Sequence, residues 1–100
     1  MTRLVITPQA ERDIEEIGDY IALDNPPRAL SFVRELRAQC RKIATSPEAF
    51  RLRHELGEGI RSCAHHRYAI FFSAGTYEVT IIRVLHGARD HLALFSDEQD

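Results

Sequence analysis

Along the chain, apolar positions fall into two helical stripes and four extended runs, with capping residues and prolines marking the joints. Leu4-Val5-Ile6 is short, apolar and partly β-branched, and predicts a first strand. Thr7-Pro8 closes it with a capping residue and a proline at the first helical position. Ala10, Ile14, Ile17 and Ile21 then recur at helical spacing, with Tyr20 beside the stripe. Asp24-Asn25-Pro26-Pro27 stops this helix and restarts another, because the residue before a proline is pushed out of the α region while Asn caps and proline opens a helix. The stripe Ala29, Phe32, Val33, Leu36, Cys40 and Ile43 carries the second helix to about Ala44.

Residues 45–59 follow neither period and read as a long connection, with Ser46-Pro47, Gly57 and Gly59 as breakers and Arg51, Arg53 and His54 as its basic groups. Three strands are expected after it: a weak one over Ile60 to Ala64, a strong one over Tyr68 to Ser73, and a long one over Tyr77 to Leu85. Ala74-Gly75-Thr76 supplies a glycine-bearing hairpin turn between the last two. Beyond His86-Gly87, one helical turn through Leu92, Leu94 and Phe95 and an acidic tail over residues 96–100 are expected, leaving residues 1–95 as a single domain. The fold class is α+β, in the order β-α-α-β-β-β, with a helical hairpin on one face of a small, mainly antiparallel sheet.

Alternation with period two puts Val79, Ile81, Arg83 and Leu85 on one face of the last strand and Thr80, Ile82, Val84 and His86 on the other. In the middle strand Ile70 and Phe72 oppose Phe71. Both faces are therefore apolar, while the single hairpin covers only one of them. A second apolar face left open calls for a protein partner. The alternative is that residues 45–59 and the C-terminal Leu92, Leu94 and Phe95 fold back over part of it.

Charge and composition then narrow the functional classes. The chain has 100 residues, 44% of them hydrophobic, and a net charge of -2, which fits one globular domain with no overall basic excess toward nucleic acid or lipid. The first helix is acidic through Glu11, Asp13, Glu15, Glu16, Asp19 and Asp24, and the second basic through Arg28, Arg34, Arg37, Arg41 and Lys42, so the two attract as a hairpin. No apolar run reaches the roughly 18 residues of a bilayer span, and no signal-peptide core opens the chain, which predicts a cytoplasmic protein. Cys40 and Cys63 lack metal or scaffold spacing and read as reduced packing residues.

Candidate chemistry is confined to basic residues on or beyond the strands: Arg61, His65, His66, Arg67, Arg83, His86 and Arg89. Such a set suits phosphate, since Arg offers forked donors and His exchanges a proton near neutral pH. That is the composition of a metal-independent ribonuclease. His65-His66 falls in a turn, where adjacent side chains are expected to diverge into solvent. No Cys or carboxylate lies at a recognised spacing from a histidine, so neither metal nor cofactor is expected. Arg83 sits among apolar neighbours and must meet a carboxylate such as Glu78 or Asp90, a ligand, or a partner.

Thr7-Pro8-Gln9-Ala10-Glu11-Arg12-Asp13-Ile14-Glu15-Glu16-Ile17, Asp19-Tyr20-Ile21-Ala22 and Asp24-Asn25-Pro26 resemble the opening of ParE toxins. The likeness continues through Pro47, Arg51-Leu52-Arg53 and Glu55-Leu56-Gly57-Glu58-Gly59-Ile60-Arg61-Ser62 to the closing Ile82-Arg83-Val84-Leu85-His86-Gly87-Ala88-Arg89-Asp90, covering roughly residues 4–95. The resemblance implies a RelE/ParE fold and a toxin neutralised by a ParD-like antitoxin, bound in the groove between helices and sheet and at the sheet edge. It further implies DNA gyrase as target, or mRNA cleavage in the ribosome as the RelE-type alternative, with Arg61, Arg83 and His86 as its catalytic candidates; the net charge of -2 leaves DNA to be met only through the antitoxin. On it we place a toxicity patch at Arg61, Arg67, Arg83, His86, Arg89, Leu94 and Phe95, and antitoxin contacts at Phe32, Leu36, Phe71 and Ile82.

Overall fold

Two helices lie across a five-stranded sheet in the computed structural model, which describes residues 2–87. The elements are β1 (Arg3–Ile6), α1 (Pro8–Ala22), α2 (Pro26–Thr45), β2 (Arg51–Leu52), β3 (Ile60–His65), β4 (Tyr68–Ala74) and β5 (Glu78–His86). Both helix starts lie where the sequence puts them. Thr7 Oγ1 accepts from the Ala10 amide at 3.1 Å, and Asn25 Oδ1 from the Arg28 amide at 3.1 Å. Thr7 Oγ1 also donates to the Ile82 carbonyl at 3.1 Å, so one hydroxyl caps α1 and ties its start to β5.

The helices run antiparallel, with Gly18 close against Val33 and Glu11 opposite Arg37. Arg37 donates to both Glu11 oxygens at 3.1 and 2.9 Å, which realises the expected attraction between an acidic and a basic helix. The Arg37 guanidinium holds the Glu11 carboxyl below its ordinary range against a smaller opposing effect of burial.

Strand order in the sheet is β1-β5-β4-β3-β2. All pairings are antiparallel except β1 with β5, which is parallel. The chain between them, residues 7–77 with both helices and β2 to β4, is long enough for the crossover that parallel neighbours require. The simple alternation expected of β5 is overturned at Ile82. Phe71 pairs with Arg83 but Phe72 with Ile81, so Ile82 is a bulged residue and the faces exchange beyond it. Val79, Ile81 and Val84 consequently share the core under the helices, and Leu85 joins Phe71 on the far side.

The main core combines Ala10, Ile14 and Ile17 of α1, Phe32, Leu36, Cys40 and Ile43 of α2, and Ile70, Phe72, Val79 and Ile81 of the sheet. The far face departs from expectation. Leu56 and Ile60 pack there with Phe71 and Leu85, and all four are buried. Residues 45–59 are able to do this because they are not structureless. They form 3₁₀ turns at Pro47–Ala49 and His54–Leu56 flanking β2, and these lay Leu56 on the sheet. The chain thus covers this part of its second face itself, and the doubly apolar sheet no longer argues for an obligate partner. The helical turn expected through Leu92, Leu94 and Phe95 lies outside the described residues.

Two outcomes follow. Leu56→Ala opens the far-side core and should destabilise the protein by roughly 2–5 kcal/mol in urea denaturation; a loss below about 0.5 kcal/mol would mean that Leu56 is not part of a packed core. Burial pushes the Cys40 thiol up to about 11 from 9.0. The folded state therefore holds a proton that the unfolded chain releases, and stability should fall between about pH 9 and about pH 11. Cys40→Ala should flatten that part of the stability profile.

Candidate functional site

Arg83 meets a carboxylate, but neither of those considered from sequence. Its Nε donates to Asp13 Oδ2 at 2.8 Å and its NH2 to Asp13 Oδ1 at 3.0 Å, with both residues buried. Asp13 Oδ2 also accepts from the Val84 amide at 2.9 Å. The pairing of β1 with β5 stops at Ile6 and Ile81, so the Val84 amide lies beyond the end of β1 and Asp13 completes the ladder there. From charge alone Asp13 counts as one more acidic residue of the first helix. It stands three residues after Ala10 and four before Ile17, which puts it in the buried stripe, and that spacing was the available signal.

Arg61 and His86 do not converge with each other. Arg61 NH1 donates to the Phe50 carbonyl at 2.7 Å, and Arg61 pairs across the ladder with Phe72. His86 pairs with Tyr68 and meets its ring edge-on at 5.3 Å. Tyr68 and Phe72 are four residues apart on β4, so Arg61 and His86 are separated by about 13 Å along the strands alone. Arg67 is exposed in the β3–β4 turn. Arg89, Leu94 and Phe95 lie outside the described residues.

A denser cluster forms at the opposite end of β3 from Arg61, around the turn that the sequence marked only as two solvated histidines. His66 has a positive φ of 54°, which sets its ring against that of His65 at 4.7 Å, edge to face. The two imidazoles converge instead of diverging. Phe32 of α2 touches both, at 5.4 and 5.6 Å between ring centres, and Tyr68 at 5.6 Å. Glu35 of α2, one turn along from Phe32, points Oε1 at His65 Nε2 (3.4 Å) and His66 Nε2 (3.6 Å). Arg28 donates from NH1 to Glu35 Oε2 and stacks over Phe32 at 5.0 Å. Its guanidinium holds the Glu35 carboxyl below the ordinary range, against a smaller effect of burial, and His65 adds to the lowering. Sequence reasoning missed Glu35 because it lies thirty residues from His65 and joins it only through the packing of α2 on β3.

Beside the cluster a groove of about 410 Å³ runs between the hairpin and the sheet, lined by Ile21, Arg28, Phe32, His66, Arg67 and Tyr68. Tyr20 (70% exposed), Leu23 (80%) and Leu30 (56%) present apolar surface around the connection of the two helices. Of the residues nominated for antitoxin contact, Phe32 is buried but forms part of the groove lining, and Ile82 is half-buried. Leu36 and Phe71 are fully buried within the two cores, so in this conformation neither offers a contact surface.

The sequence profile of the family described as "ParE toxin of type II toxin-antitoxin system, parDE" matches residues 4–91. The chain belongs to this family. Toxin ParE1 of Caulobacter vibrioides is 33% identical over 91 residues, spanning 87% of this chain and 94% of that protein. Among solved structures, the chromosomal ParDE system from P. aeruginosa superposes with a TM-score of 0.76 at 21% identity, covering 86% of this chain and 96% of the matched one. The RelBE2 toxin-antitoxin complex from Mycobacterium tuberculosis gives a TM-score of 0.64 at 22% identity over 85% and 96%. The ParE-type architecture, a helical hairpin on a five-stranded sheet, is thus shared by this chain and by both solved systems.

In this ParE-family chain the pair of Asp13 and Arg83 should behave as a unit. Asp13→Asn and Arg83→Met should each destabilise by roughly 3–5 kcal/mol, and the double variant by well under their sum. Strict additivity in urea denaturation would show that the two side chains do not cooperate.

Proposed function

We propose that the chain is the toxin of a two-component module, held silent by a ParD-like antitoxin and acting, when released, by binding DNA gyrase. Membership of the ParE family carries this reading. The dispersal of the nuclease candidates supports it. Arg83 is committed to Asp13, while Arg61 and His86 stand too far apart to share one phosphate. A toxin that works by binding needs no such convergence.

The groove at Phe32 and Tyr68, with the exposed Tyr20, Leu23 and Leu30 nearby, is the surface we assign to the antitoxin. Its rim carries Arg28 and Arg67, which favours a segment that brings apolar side chains together with carboxylates. Any toxin surface at Arg67 and His86 is then close to the antitoxin's, so neutralisation can follow from direct coverage. Cytoplasmic action is part of the same reading, and no helix among the described residues is long and apolar enough to cross a membrane.

Purified chain incubated with gyrase and supercoiled plasmid should accumulate cleaved DNA, and ribosome-bound mRNA should stay intact. Intact plasmid together with cut mRNA would replace this reading by the endoribonuclease one. His86→Ala separates the two further. Loss of a general acid or base lowers a cleavage rate by about 10²–10⁴-fold, whereas a gyrase-binding toxin should retain activity within about tenfold.

A further inference from the structure

We propose that Glu35, His65 and His66 form a binding site for a divalent transition-metal ion, with zinc the best match to the donors. Two imidazole nitrogens and one carboxylate oxygen make a three-residue set that leaves a fourth position for water or an outside group. Metal–ligand distances of about 2.0–2.1 Å place ligand atoms about 3.3 Å apart in a tetrahedral site. Glu35 Oε1 lies 3.4 Å from His65 Nε2 and 3.6 Å from His66 Nε2, and all three ligand atoms fall within 4.8 Å of one another. The two nitrogens need the same spacing, and since they lie within 4.8 Å of one another, a shift of up to about 1.5 Å by the His66 ring provides it. That side chain is 57% exposed, which leaves room for the shift on its solvent side.

A second observation points to a ligand. His65 Nε2 is shut off from solvent and has no hydrogen-bond partner among the described residues, Glu35 Oε1 at 3.4 Å being a charge contact alone. Buried polar atoms of this kind require an explanation, and a neutral imidazole nitrogen is a ready metal donor. The surroundings also suit binding. Arg28 engages Glu35 chiefly through Oε2 and leaves Oε1 turned to the histidines, so it fixes the carboxylate as an outer partner does in metal sites. Phe32 packs against both imidazoles and restricts their rotation. The charge of Arg28 opposes that of the ion, so binding should be micromolar rather than nanomolar.

Titration of the metal-free full chain with Zn²⁺ by calorimetry should show one ion per chain, and Co²⁺ should give the intense visible absorption of a four-coordinate nitrogen–oxygen site. His66→Asn keeps a residue that tolerates positive φ while removing the imidazole, and should weaken Zn²⁺ at least tenfold without lowering the Tm of the metal-free protein. Glu35→Gln should weaken it similarly, and His54→Ala, in an exposed turn, should not. Absence of millimolar or tighter binding in the parent chain would overturn the proposal. So would affinity unchanged in both His66→Asn and Glu35→Gln, which would place the ion elsewhere.

Discussion

One buried carboxylate holds the two halves of this fold in register. β1 is too short to accompany β5 along its length, and the strand edge beyond Ile81 would stand with a bare amide at Val84. Asp13 reaches down from α1 to take that amide and Arg83 together. Because an uncompensated ion in such a place is strongly unfavourable, α1 cannot slide or rotate on the sheet without breaking both contacts at once. Thr7 fixes the start of the same helix to Ile82, one residue from Arg83. Together these bonds determine where α1 sits and, through the hairpin, where α2 lays Phe32 and Glu35.

What was legible in the sequence was what is decided locally. Thr7 and Asn25 cap because of their own side chains and the prolines that follow them, and the apolar stripes of both helices need no knowledge of what they face. The Ile82 bulge was hidden because it is a property of two strands in register and not of β5 alone. Leu56 was hidden for a related reason: short 3₁₀ turns leave no period, so its placement on Phe71 emerges only from the folded path of residues 45–59.

The candidate site followed the same division. Its residue types were visible, as basic groups near strand ends, but their grouping was not. Arg83 turned inward to a helical carboxylate, Arg61 was taken by the Phe50 carbonyl, and His65 and His66 were brought together by a single positive φ. The carboxylate completing that cluster comes from α2, whose sequence reads there as a charged, solvated face. Electrostatic complementarity between the helices was, by contrast, readable from charge alone and appears as the pairing of Glu11 with Arg37.

The parallel pairing of β1 with β5 has a consequence for how the chain comes into being. Residues 3–6 and 78–81 are neighbours in space but close a loop of some seventy residues, the kind of connection that slows folding. As synthesis proceeds, β1 and both helices emerge with no strand to dock on, and β3 and β4 form at most a hairpin. Only when β5 arrives do Asp13, Thr7 and β1 find their partners. A ribosome-bound chain therefore lacks the contacts of its central strand through most of translation, and the fold closes late and all at once.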